Sequence, residues 1–214
     1  MQAYYKKTDM AKSVRGLDNI LEKGKAFILS GKIISFPTES FYALGADATN
    51  EAAVQRLFTL KNRQYNAPVL VLIGSREQFC LYARDIPDYT DALIDAFWPG
   101  GLTLIFKARK SVSPLLTAGT GKIGIRLSSH PVPCALIRMS GVPLTGTSAN
   151  LSGNPPCKTA QEVIQVFGSR VDMVVDDGQT EGKAPSTVLD LTVYPPQVLR
   201  HGMVTEDRIK AVLA

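Results

Sequence analysis

Four cations and a set of small polar residues stand at the ends of predicted elements, where functional groups are commonly displayed. Lys61 and Arg63 close a helical pattern, Arg126 falls in the run IGIRL, and Arg200 ends PQVLR. Thr38, Glu39, Ser40 and Tyr42 follow the apolar run KIISF, Ser148, Asn150 and Ser152 lie in a glycine-flanked loop, and Ser186 opens STVLDL. A guanidinium fork suits phosphate or carboxylate, and an ammonium adds a point charge. Small hydroxyls and amides suit a phosphate or an amino acid that must be held without bulk. Lys61 and Arg63 are two apart and do not share a helical face, so a common target requires the helix to end there, as NRQYNAP indicates. Singly, each residue is also an ordinary helix-end charge or turn former. Together they describe a cationic, hydroxyl-lined site and leave its reaction open.

Two other patterns point elsewhere and fail on context. GTGKIG, residues 119–124, satisfies the glycine spacing of a dinucleotide fingerprint, but that device needs a strand before it and a helix after it. Here a proline-containing loop precedes and the strand-like IGIRL follows. A phosphate-binding P-loop is missed as well, with Leu116 at the first glycine position and Ile123 at the Ser/Thr that would hold magnesium. GTSAN, residues 146–150, resembles a nucleophile elbow, and Ser148, Asp176 and His201 fall in hydrolase chain order. Asn150 replaces the glycine that permits the sharp elbow, and the segment runs on as the loop LSGNPP. The chain has two histidines, His130 and His201, far apart in sequence, which leaves a histidine-based metal site without a pattern.

The elements that must position these residues alternate in type. Strands are predicted at 32–36, 68–74, 102–108, 123–127, 142–146, 172–176, 186–191 and 196–200. Helical patterns fall at about 14–30, 88–97, 132–140, 159–167 and 205–213, and NEAAVQRLFTLKNR adds one behind an Asn50 cap. The stretch FPTESFYALGADA, residues 36–48, resembles neither a helix face nor a plain hairpin. Strands follow one another without helices at 186–200, so the order does not keep a strict βαβ rhythm. The expectation is α/β: a single domain over residues 1–214 with one twisted mixed sheet flanked by helices, and a final helix that caps it.

The 214 residues are enough to bury a sizeable core. No run approaches 18 apolar residues, so no membrane span is expected, and MQAYYKKTDMAKSVRG lacks the apolar region of a secretory leader. Cys80, Cys134 and Cys157 are odd in number and widely spaced, which fits reduced thiols in a cytoplasmic protein. A net charge of +5 implies affinity for polyanions such as nucleotide phosphates or RNA. No aromatic–basic interleaving of the RRM type is present to favour RNA.

FPTESFYALGADA, LKNR, IGIR, TSANLSGNPP, PSTVLDLT and VLRHG, in that order, resemble the YrdC-like threonylcarbamoyl-AMP synthases over about residues 32–202. The resemblance implies a twisted α/β sheet with a large basic cavity. It implies condensation of L-threonine, bicarbonate or CO2 and ATP, the last with Mg2+, into threonylcarbamoyl-AMP and pyrophosphate. The product serves modification of adenosine 37 in tRNAs that read ANN codons. By the same resemblance Ser40, Arg126 and Ser186 contact threonine. Lys61 and Arg63 meet the ATP phosphates and act catalytically by positioning charge, and Lys122, Ser148, Asn150 and Arg200 complete the ATP side. No protein side chain is implied as a metal ligand. The chain stops about a dozen residues past VLRHG, so the expectation is a form without the extra C-terminal domain of longer synthases, with separate transferase proteins acting on tRNA. Ala43 stands where the family usually has glycine, Ala67 at an often polar position, and Gln64 where a proline usually follows K-x-R. If the backbone at 43 needs φ > 0, alanine is costly there; otherwise its methyl narrows the pocket. YALG also occurs in YciO-like relatives, which generally lose the intact K-x-R and S-A-N kept here. The alternative to synthesis is such a relative, or a module that binds nucleotide or double-stranded RNA.

Overall fold

The computed structural model describes residues 3–6, 14–64 and 66–214, with side chains from residue 18 onward. The opening stretch considered above as a leader therefore lies largely outside the described residues. Seven α-helices occur among them: α1 (Val14–Leu29), α2 (Glu51–Lys61), α3 (Thr90–Phe97), α4 (Pro114–Thr117), α5 (Pro131–Ser140), α6 (Ala160–Phe167) and α7 (Glu206–Leu213). The strands are β1 (Ala3–Lys6), β2 (Ile34–Pro37), β3 (Tyr42–Gly45), β4 (Val71–Ile73), β5 (Ala83–Arg84) and β6 (Leu102–Ala108). They continue as β7 (Lys122–Leu127), β8 (Leu144–Thr145), β9 (Thr147–Ser148), β10 (Met173–Asp176), β11 (Thr187–Asp190) and β12 (Gln197–Arg200).

Helix starts are set by local chemistry that the sequence displays. Asn50, Thr159 and Thr205 each place a side-chain oxygen on a backbone N–H of the following first turn, satisfying a donor that the helix cannot. Asn62 ends α2 in the left-handed region at φ 50°, and its N–H returns to the Phe58 and Thr59 carbonyls. That stop turns the chain between Lys61 and Arg63.

The strands are mixed, as the sequence implies, but they are divided over two sheets. One has the order β1-β10-β2-β3-β9, and the other β12-β11-β6-β7-β4-β8 with β5 added on β6. In the first, β1, β10 and β2 run parallel, while β3 returns antiparallel to β2 in a register pairing Pro37 with Tyr42. FPTESFYALGADA is therefore a hairpin after all, closed by the four-residue turn Thr38–Phe41. In the second, β11 is parallel to β6 and β12 folds back on β11, which places Ser186 and Arg200 at neighbouring strand ends.

One apolar cluster fills the space between the sheets and under α2, α3 and α6, with Leu44, Phe58, Ile73, Phe106 and Ile125 buried. A second, with Ile20, Ile28, Phe36, Leu136 and Met173, joins α1 and α5 to the first sheet. Helix α7 packs on α3, with Ile209 buried and the Arg208 guanidinium 5.2 Å from the Phe97 ring centre. Before it, the chain passes tightly against the start of β11. Met203 N–H donates to the Pro185 carbonyl at 2.9 Å, and a Cβ on Gly202 would collide with that carbonyl and lie 2.7 Å from the Ser186 backbone carbon. No helix among the described residues is long and apolar enough to cross a membrane.

Candidate active site

The site starts from the turn of the β2–β3 hairpin. Thr38 Oγ1 donates to the Phe41 carbonyl at 2.7 Å and accepts from the Ser40 and Phe41 N–H groups, which locks the turn. A hydroxyl has one proton, and Thr38 has committed its own to a carbonyl. The Ser40 hydroxyl lies 3.0 Å from the Thr38 hydroxyl at the mouth of the cavity, where it can donate to or accept from a ligand.

The turn opens onto a cavity of about 470 Å³ walled by both sheets. Ser40, Ala43, Thr147 and Ser148 line it from the first sheet and its turn; Thr103, Gly124, Arg126, Ser186 and Arg200 come from the second sheet and the approach to it; Arg63 enters from the loop after α2. Arg126 is 3% exposed, with Nη1 3.2 Å from Glu39 Oε1, and Ser128 donates to the other carboxylate oxygen. Arg126 Nε and Glu39 Oε1 are both buried without a hydrogen-bond partner. Arg200 instead donates to the Ser186 carbonyl at 3.0 Å and to the Ser186 hydroxyl at 2.9 Å, and that hydroxyl also bonds Thr103 Oγ1 at 2.9 Å. Arg63 reaches the Ala67 and Pro68 carbonyls at 3.3 and 2.6 Å and Thr147 Oγ1 at 3.4 Å.

Burial pulls the pKa of Arg63, Arg126 and Arg200 below the usual guanidinium value; Arg126 adds to that at Arg200, while Glu39 opposes it at Arg126. Among the described residues neither Arg63 nor Arg200 forms an ion pair with a carboxylate. The cavity thus carries two guanidinium charges without carboxylate partners, and it concentrates anionic ligands. No group of three or more His, Cys, Asp or Glu among the described residues could hold a metal ion.

Of the residues expected at the site, Ser40, Arg63, Arg126, Ser148, Ser186 and Arg200 line this one cavity. Lys61, Asn150 and Lys122 do not. Lys61, expected beside Arg63 at the ATP phosphates, is 2% exposed and turned behind the wall, where its Nζ donates to the Ser148 and Asn150 carbonyls and to Asn150 Oδ1. Burial and then Arg63 push its pKa down to about 7, against the Cys157 thiol. Asn150 is drawn inward by that contact and by the Ser148 hydroxyl, which donates to the same Oδ1 at 2.7 Å. Lys122 spans to buried Asp190 at 2.9 Å across the second sheet.

Ala43 shows no positive φ and sits in regular β3, so its methyl narrows the cavity without backbone strain. The glycines of GTGKIG include two at φ +72° and +70°, a turn that delivers β7 and not a helix. The hydrolase order dissolves too, because Asp176 accepts from Gly178 N–H at 2.9 Å and lies 3.4 Å from Tyr42 Oη, while Ser148 is committed to Asn150. Glu39, Ser128 and Thr103 join the site without having been assigned to it. Glu39 stood among the polar residues of the first turn, but its pairing with Arg126 and Ser128 joins positions 87 and 89 residues away, which spacing does not reveal.

The fold is α/β, and its two sheets enclose an arginine-bearing, hydroxyl-lined cavity of a kind suited to small anions. The model of the Sua5/YciO/YrdC family, described as "Telomere recombination", matches residues 26–202, and the chain belongs to that family. It is 37% identical over 187 residues to the threonylcarbamoyl-AMP synthase of Pyrococcus abyssi, covering 87% of this chain and 55% of that one. The chain thus spans about half the length of that relative. With the threonylcarbamoyl-AMP synthase of Photobacterium profundum it shares 34% identity over 189 residues, covering 87% of this chain and 100% of the relative. The crystal structure of P. abyssi Sua5 complexed with L-threonine superposes with a TM-score of 0.88 at 36% identity, over 90% of this chain and 57% of that one. Escherichia coli YciO superposes with a TM-score of 0.81 over 96% of each chain, at 24% identity, and speaks to the fold alone.

Proposed function

We propose that this cavity makes threonylcarbamoyl-AMP and pyrophosphate from L-threonine, bicarbonate or CO2, and ATP. The observation that carries the reading is the pairing, in one cavity, of a buried arginine held by Glu39 with two arginines that have no carboxylate partner. The first offers a fixed fork to an amino-acid carboxylate, and the others leave charge for phosphates. Relatives in the family carry the same activity in their names.

In this reading Arg126 takes the threonine carboxylate, and the Ser40 hydroxyl, which lines the cavity, hydrogen-bonds the amino acid. The amine attacks CO2 and loses a proton, forming a carbamate. A carbamate oxygen then attacks the α-phosphorus of ATP as the bond to the β-phosphate bridging oxygen breaks, and pyrophosphate leaves. Such transfers depend on positioning and charge neutralisation more than on a strong base. Arg63 and Arg200 supply the neutralisation, and magnesium enters with ATP as part of the substrate. The adenylate is an activated donor, suited to later transfer of its threonylcarbamoyl group to tRNA by a separate protein.

The test is pyrophosphate release by the purified chain with ATP, Mg2+, threonine and bicarbonate. Release that requires both threonine and bicarbonate is expected. Release independent of threonine, or none, overturns the synthase reading in favour of a nucleotide-binding module.

A further inference from the structure

The two cations of the K-x-R pair have opposite surroundings. Arg63 lines the cavity, whereas Lys61 sits behind it. The Lys61 ammonium has three N–H bonds, and three oxygens accept from it: the Ser148 carbonyl, the Asn150 carbonyl at 2.7 Å and Asn150 Oδ1 at 3.0 Å. Nothing is left over for a phosphate unless one of these is given up. From the other side the Lys61 carbonyl accepts the Ser152 N–H at 3.2 Å, so the same residue grips the 148–152 segment at both ends of its own structure. Elsewhere the segment is held by a few short-range bonds: Cys157 N–H donates to the Ala149 carbonyl at 2.9 Å, Asn154 N–H to the Leu151 carbonyl at 3.0 Å, and the Asn150 side-chain amide to the Asn154 carbonyl. It follows the two-residue strand β9, turns on the Asn150 N–H to Ser148 carbonyl bond at 3.0 Å, and hangs on β3 through Ala149 N–H and the Tyr42 carbonyl.

We propose that Lys61 is a positioning residue: its side chain fixes the Ser148–Asn150 wall of the cavity against the end of α2, and it does not itself bind the triphosphate. The first half stands on the geometry alone, and the second rests on the nucleotide reading above. The titratable groups that act on the Lys61 amine are the Arg63 guanidinium on the following loop and the Cys157 thiol. Neither offers a counter-charge at neutral pH, so the carbonyl oxygens alone hold the ammonium in place. Two of those oxygens are backbone of the wall and the third is the Asn150 side-chain amide, which ties the shape of the wall to the Lys61 side chain.

Amide hydrogen exchange on the ligand-free chain, followed by mass spectrometry, reads the first half. Lys61→Met is expected to speed exchange across residues 149–154 about tenfold or more, and Arg63→Gln to leave that segment within about twofold of the parent. Unchanged exchange in Lys61→Met overturns the proposal. Should that variant fail to fold, Lys61→Gln removes the charge and leaves at most two donors; faster exchange in the same segment supports the role, and unchanged exchange overturns it. Titration with ATP and AMP reads the second half. Lys61→Met is expected to weaken both by the same factor, whereas Arg63→Gln weakens ATP more than AMP. A selective loss of ATP in Lys61→Met makes Lys61 a phosphate ligand and overturns the proposal. A parent chain that binds neither nucleotide defeats the synthase reading and leaves the exchange result standing.

Discussion

The two walls of the cavity differ in kind. The wall from the β2–β3–β9 side offers Ser40, Ala43, Thr147 and Ser148, all neutral, while the wall from the β6–β7–β11–β12 side offers Arg126 and Arg200. The neutral wall is organised by hydroxyl chains such as Thr38–Ser40, and the cationic wall by a buried Arg126 paired with Glu39 and a more exposed Arg200 that donates to Ser186. Charge dominates recognition where water is excluded, and hydroxyls set orientation there. Under the proposed synthase reading, the difference implies that affinity resides mainly on one wall and discrimination between similar amino acids mainly on the other.

The most damaging test of that division is Arg126→Met. It removes the carboxylate fork and leaves Glu39 buried without its partner, so kcat/KM for threonine is expected to fall at least about a hundredfold, with a stability loss of about 3–5 kcal/mol. Adding Glu39→Gln should restore much of the melting temperature and none of the activity; recovery of both would remove Arg126 from the site. Next in size, Arg200→Gln should raise the KM for ATP by about tenfold or more, since charge-assisted hydrogen bonds are worth roughly 1.5–3 kcal/mol. Steady-state titration of each substrate would expose an error if threonine were affected instead. On the neutral wall, Ser40→Ala should cost about 1 kcal/mol, a change near fivefold in the KM for threonine with that for ATP unmoved.

The smallest effect concerns Cys157, behind the neutral wall. Burial, and then Glu162, push its thiol up from 9.0 to about 11. Between those values the folded chain holds a proton that the unfolded chain has released, so this contribution is present below pH 9 and is lost as the pH rises through 11. Cys157→Ala should flatten the fall in melting temperature across that window, which scanning calorimetry at pH 8, 9 and 10 would read. The exposed thiol of Cys80 should also react with alkylating reagents well before Cys157 does.

Much of the scaffold was legible because its signals are local. The run Leu102–Ala108 is β6 residue for residue, and Asn50, Thr159 and Thr205 mark helix starts through bonds three residues long. What escaped depends on distant partners. β3 and β9 are short and hold their shape by pairing across about a hundred positions, and β10 inserts between β1 and β2 from the far end of the chain. The hairpin at Ile34–Gly45 lacks a two-residue glycine turn and is closed by Thr38, a device that sequence patterns do not advertise. At the site, arginines and serines at strand ends could be singled out, but the division of labour between Lys61 and Arg63 could not. It follows from Asn62 in the left-handed region, which sends neighbouring cations to opposite sides of the wall.

The tight passage at Gly202 has a consequence of its own. The bare backbone there is wedged against Pro185 and Ser186, the residue that holds Arg200 and meets Thr103. A side chain at that point would lever the start of β11 outward and drag both of those contacts with it. A position that faces no ligand thereby acts as a mechanical stop for the cationic wall. Met203 and Val204 tie the same stretch to the approach to α7, so the start of β11 and the entry to the C-terminal helix share one set of hydrogen bonds.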